Sequence, residues 1–178
     1  MRKVEAVAFV VNRGHMMKVL VLSIAFVICA AAVQAQQVTS IDVTEYGLYT
    51  LNVTSKQQQA TGVSHNTVSD VRHAATTRTV PAQIGVRFGF RYRVNGNPQG
   101  QRVELKKVTI FPAPGLKSPK SAQPLQKSEY TIVRQTGAVS YTGYGLEDAW
   151  EVVPGKWTIQ IWQDNRKLTE QVFNVVKQ

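Results

Sequence analysis

The sequence predicts an all-β protein, an antiparallel sandwich of two sheets with about seven strands, and three observations carry that reading. Apolar residues recur with a period of two over several stretches, and no long window carries a helical stripe. Glycine, proline, asparagine and aspartate fall between those stretches, where the chain must reverse. One long run holds Pro112, Pro114, Gly115, Pro119 and Pro124, which cannot sit in a central strand.

Before the strands comes a leader. Lys18 precedes an apolar run, 19–33, followed by Gln34, Ala35 and Gln36. A positive charge, a run shorter than the ~18 residues that span a bilayer, and small residues just before a polar stretch make residues 1–35 a secretory signal peptide. Met16 or Met17 would place Lys18 at the head of that leader, so a start at Met1 reads as over-extended. Cys29 follows Ile28, which is large and branched where lipid attachment wants a small residue, so it reads as part of the apolar run. The working domain is then 36–178, periplasmic or secreted, with no transmembrane segment after cleavage. It holds no cysteine, so its stability must come from a core. Its length suffices for one domain.

The first strand is expected at 41–53, with Gly47 marking a bulge or bend that lets its halves serve different edges. Segment 55–75, rich in Gln, Thr, Ser and Ala, reads as a loose, mobile connection, and a strand follows near 76–80. The clearest alternation is 86–94: Val86, Phe88, Phe90, Tyr92 and Val94 inward, Arg87, Gly89, Arg91 and Arg93 outward. Residues 95–100 turn the chain into a strand at 103–111. There the alternation slips, since Val103 and Leu105 share one parity and Val108 and Ile110 the other. A bulge at Lys106 and Lys107 would repair it.

The proline run is expected to be a long surface crossover, with further strands at 130–134 and 149–153. Gly143 and Gly145 have no helix after them and read as loop glycines, not a phosphate cradle. Pro154 and Gly155 open a C-terminal hairpin. Its first strand, 157–162, turns Trp157, Ile159 and Ile161 inward and Thr158, Gln160 and Trp162 outward. Asp164, Asn165 and Arg166 lead into its second, 168–176. Short strands, a long crossover and a final hairpin point to an immunoglobulin-like sandwich, although two cysteines bracketing a tryptophan are absent. A small eight-stranded β-barrel is the alternative, because strand number read from sequence is good only to one or two.

Three stretches resemble a known family. They are Phe88, Gly89, Phe90, Arg91 and Tyr92; then Phe111, Pro112, Ala113, Pro114, Gly115 and Leu116; and Trp150, Glu151, Val152, Val153, Pro154, Gly155, Lys156 and Trp157 with Ile159, Ile161 and Trp162. Together they resemble small exported bacterial proteins defined only by a domain of unknown function. The likeness spans 41–176 and implies a bacterial, periplasmic, β-rich protein. It brings no catalytic residues.

Charge bounds the partners. Losing residues 1–35 removes four bases and one acid, so the net charge falls from +10 to +7. A basic exported domain favours an anionic envelope component, such as lipopolysaccharide, acidic phospholipid, acidic glycan or an acidic envelope protein. The compartment excludes nucleic acid. Catalytic constellations are weak: His65 and His73, with Ser64 and Asp70 nearby, lack a nucleophile turn and read as surface residues, and two histidines without further ligands make no metal site. No cofactor is implied.

Two function classes remain. The first is a non-catalytic binding module using loops, a strand edge or the basic row of Arg87, Arg91 and Arg93, with Tyr144 and Trp162 as further candidates. Three guanidiniums in a row invite an anion unless acids on neighbouring strands neutralise them, Glu104 being the nearest in sequence. The second is a glycan-active enzyme or accessory built on segment 141–150, where Tyr141, Tyr144, Glu147, Asp148 and Trp150 lie close together, with Glu151 just beyond. Two acids in one local segment do not make the facing pair that glycoside hydrolysis needs, which favours the first class.

Overall fold

The computed structural model describes residues 37–177; the expected leader lies outside them. Within the described residues, nine strands form two sheets. In chain order they are β1 (Gln37–Gln58), β2 (Ser64–Ala75), β3 (Thr79–Pro81), β4 (Arg87–Asn97), β5 (Arg102–Ile110), β6 (Lys127–Gln135), β7 (Val139–Gly145), β8 (Gly155–Gln163) and β9 (Arg166–Val176). One sheet has the order β2-β1-β4-β7, the other β3-β9-β8-β5-β6. Pairing is antiparallel except for the short β3, which lies parallel to β9. The sheets stack as a sandwich and do not close into a barrel.

The core forms where alternation placed it. Phe88, Phe90, Tyr92 and Val94 of β4 and Trp157, Ile159 and Ile161 of β8 are all fully buried. They meet across the two layers: the Phe88 ring lies 5.8 Å from Trp157 and 5.1 Å from Phe173 of β9. Each such side chain contributes ~1.5–3 kcal/mol by leaving water.

β1 serves two partners, as its central glycine suggests. Its first half pairs with β4 up to Leu48, and its second half pairs with β2 from Leu48 onward. Gly47 has φ +140°, and a Cβ there would lie 1.9 Å from the Ala75 carbonyl oxygen. Only glycine allows that bend and that approach. Segment 55–75 is therefore no loose connection. It completes β1 and supplies β2, a two-stranded arm whose polar composition reflects how little core it helps to bury.

Other expectations are corrected. The proline run joins β5 to β6, which are neighbours in one sheet, so it is a long hairpin loop and not a crossover. It folds back through a Leu116–Leu125 bridge, with Leu116 fully buried. Residues 149–151 form a single turn of 3-10 helix instead of a strand. The Glu151 carboxylate holds that turn by accepting the backbone N–H groups of Glu147 and Asp148 at 2.8 and 3.1 Å.

Gly143 and Gly145 belong to β7, not to a loop. Gly143 faces Gly89 in the ladder, and a Cβ on Gly89 would meet the Thr142 carbonyl oxygen at 2.2 Å. These strands approach more closely than side chains permit. The bulge expected at Lys106 and Lys107 is also absent, because β5 pairs with β6 without a register shift from Arg102 to Ile110. Alternation simply continues, and it carries Lys107 inward with Leu105 and Thr109.

Candidate functional site

β6 and β7 are the last strands of their respective sheets, and a three-residue connection, 136–138, carries the chain from one to the other. Antiparallel pairing with β4 leaves alternate backbone groups of β7 facing this open side of the sandwich. Two cations from the other sheet meet them. The Lys107 amine donates to the Gly143 carbonyl at 2.5 Å and to the Tyr130 hydroxyl at 3.0 Å. The Arg134 guanidinium donates to the Tyr141 carbonyl at 3.4 Å and, through Nε, to the Tyr92 hydroxyl at 2.9 Å.

The β1–β2 arm covers this opening. Lys56 and Asn66 each reach the Glu147 carboxylate at 2.6 Å. The His65 ring stacks on Tyr130 with centroids 3.8 Å apart, and Arg91 donates to the Val71 carbonyl. Arm, β6 and β7 together enclose a cleft of about 940 Å³.

Charge inside the cleft is divided. On one wall Lys107 is 5% exposed, and among the described residues no carboxylate lies within ion-pair distance of it or of Arg134. Neutral groups alone solvate the ammonium: a phenol, a carbonyl and the face of the Tyr130 ring, 5.2 Å away. Burial, and then the nearby charges of Lys107 and Arg134, push the His65 imidazole below its ordinary pKa, so it is neutral at pH 7. At the other end Glu147 is shared by Lys56, Asn66 and, at 3.6 Å, Arg87. Glu151 accepts the Tyr144 hydroxyl at 2.6 Å, and burial raises its pKa against the pull of those hydrogen bonds. Burial and the Glu151 charge raise the Tyr144 phenol in turn.

The family described as "Domain of unknown function (DUF3859)" matches residues 37–175. The chain belongs to that family. It is also similar to an immunoglobulin-like protein of known structure from Pseudomonas aeruginosa, with 23% identity over 80% of this chain and 99% of that chain, at a TM-score of 0.55. At such identity the likeness shows the fold, which is immunoglobulin-like. No curated protein matches. Among the described residues no helix is long and apolar enough to cross a membrane.

The residues singled out from the sequence of this family member do not gather at one place. Arg87 lines the cleft beside Glu147, whereas Arg91 sits 3.5 Å from Glu45 of β1. Arg93 is exposed, opposite Asp42 and Val139 in its ladders. Glu104 lies in the other sheet, opposite Val133, so the acids beside the arginine row are Asp42, Glu45 and Glu147. Tyr144 is a core residue at the cleft's edge, its ring 4.8 Å from Trp157. Trp162 stands in the other sheet and donates to the Gln160 carboxamide at 2.8 Å. His73 faces the Tyr46 carbonyl at 3.1 Å, remote from the stacked His65. Sequence reasoning missed Lys107, Tyr130 and Arg134. The one signal available was the broken alternation at Lys107.

Proposed function

We propose that this protein is an exported, non-catalytic binding module of the bacterial cell envelope, and that it takes an anionic envelope component in the cleft beneath the β1–β2 arm. The supporting observation is Lys107, a buried ammonium held by neutral partners only. Keeping a cation out of water without a counter-charge is costly, and a site that tolerates the cost gains most from an incoming anion. The arginine row supports docking less well, since Arg87 and Arg91 already face Glu147 and Glu45. Catalysis finds little support in the acids. Glu147 and Glu151 sit in one local turn with their oxygens engaged by protein donors, not facing one another across a gap.

Binding of the exported protein to anionic liposomes, lipopolysaccharide and acidic glycan tests this reading, with Lys107→Met compared against the double variant Arg91→Gln/Arg93→Gln. The expected result is salt-sensitive binding that Lys107→Met weakens and the double variant largely keeps. Loss in the double variant with retention in Lys107→Met would move the site to the sheet face. Intact-mass measurement of protein recovered from periplasm or medium tests export: a species beginning near Gln36 is expected, and one still carrying Cys29 refutes it.

A further inference from the structure

We propose that the occupant of this cleft is an acidic saccharide, its anionic group held by Lys107 and Arg134 and its hydroxyls by the polar walls. The inference rests on the binding reading above and names the ligand class. Two of the three Lys107 N–H bonds are engaged, and three of the five on Arg134. Both cations line the cleft and both act on His65, so their remaining donors serve one space. Tyr130 adds a third donor there, because its oxygen accepts from Lys107 and its own proton stays free.

The rest of the cleft discriminates among anions. Its walls carry the hydroxyls of Thr109, Ser140 and Thr142, and the Asn66 carboxamide oxygen is buried there with no donor among the described residues. An unmet buried acceptor favours any ligand that brings the donor. Sugar hydroxyls bring donors and acceptors together and suit such walls. An acyl chain brings neither, and a bare inorganic anion fills only the Lys107 corner of so large a space.

Isothermal titration of the exported protein with trigalacturonate, galactotriose, inorganic phosphate and phosphatidylglycerol vesicles distinguishes these classes. Trigalacturonate is expected to bind at least tenfold more tightly than galactotriose or phosphate, and at least tenfold more weakly to Lys107→Met. In the unmodified protein it should also move the His65 imidazole titration to higher pH, read by NMR, which needs no variant to fold. Equal binding of galactotriose or of phosphate overturns the inference, as does an unmoved His65 titration. Vesicle binding that depends on Lys107, with no saccharide bound, overturns the saccharide and leaves the binding module standing. No anion bound at low salt overturns both.

Discussion

Truncating Trp157 to alanine should remove a large part of the stability of this domain. The side chain is fully buried and touches both layers: Phe88 of the facing sheet at 5.8 Å, Tyr144 at 4.8 Å and Phe111 at 5.2 Å, two of the three contacts edge-on. Its indole N–H also donates to the Val153 carbonyl at 2.9 Å, which fixes the approach to β8. Emptying such a site costs about 3–5 kcal/mol, with the lost transfer energy, the cavity and the edge-to-face contacts all included. Against a total near 5–15 kcal/mol, with no disulfide within the domain, that is a third or more of what holds the fold. At roughly 2–4 °C per kcal/mol for a chain of this size, thermal unfolding by circular dichroism should drop on the order of 10–20 °C. Trp162→Ala, on the half-buried outer face, is the control and should move far less. A Trp157→Ala protein that unfolds cooperatively within a few degrees of the parent would refute the assigned core.

Burial raises the Glu151 carboxyl above its ordinary pKa when folded, so the native state holds its proton to higher pH than the unfolded chain does. Stability should therefore fall as pH climbs from about 4.5 through the raised value, and the parent's advantage over Glu151→Gln in melting temperature should shrink from acid to neutral pH; a growing advantage contradicts the burial argument. His65 is shifted the other way, so its contribution is complete above about 6.5 and is lost as pH falls below it. In urea titrations the parent should lose stability relative to His65→Gln between pH 7 and 5, and parallel profiles would remove His65 from the cationic cluster. Gly89→Ala drives a methyl into the β7 backbone and should cost ~1–3 kcal/mol, whereas Gly145→Ala meets only side chains, Arg87 at 3.3 Å and Glu147 at 3.7 Å, and should cost less. Equal losses in chemical denaturation would show that the close β4–β7 approach is not what those glycines serve.

The legible parts of this fold are those where large apolar side chains alternate along a strand with polar residues or glycine. Phe88, Phe90 and Tyr92, and again Trp157, Ile159 and Ile161, announce their inward faces because each alternates with residues that face away from the core. Gly47 was legible for a related reason: a glycine inside an apolar strand needs a geometric cause, and the bend between two partners is that cause. β7 and the β1–β2 arm were not legible. β7 is built on glycines that pack by absence of side chain, and the arm is wetted on most of its surface, so neither leaves the apolar rhythm by which strands are recognised. The acids of 147–151 were visible, but what they hold was not, since their partners Lys56, Asn66 and Tyr144 come from elements read as loose or loop.

Lys107 carries the most instructive failure. A broken alternation has two physical resolutions: an added residue restores the rhythm, or the strand runs straight and one inward position is polar. Sequence alone favours the bulge, because a lysine in a sandwich interior violates the expectation that buried charges are paired. The straight ladder from Arg102 to Ile110 shows that the second resolution holds, and the charge is indeed not paired with an acid. Edge protection accounts for part of it, since a cation on an exposed strand carbonyl discourages pairing with another chain. It does not account for the whole, because an exposed lysine would serve that purpose without burial, and Arg134 performs the same capping two residues along β7. A position that breaks the local rule without a compensating structural gain is where function is to be sought, and here it lies at the wall of the cleft.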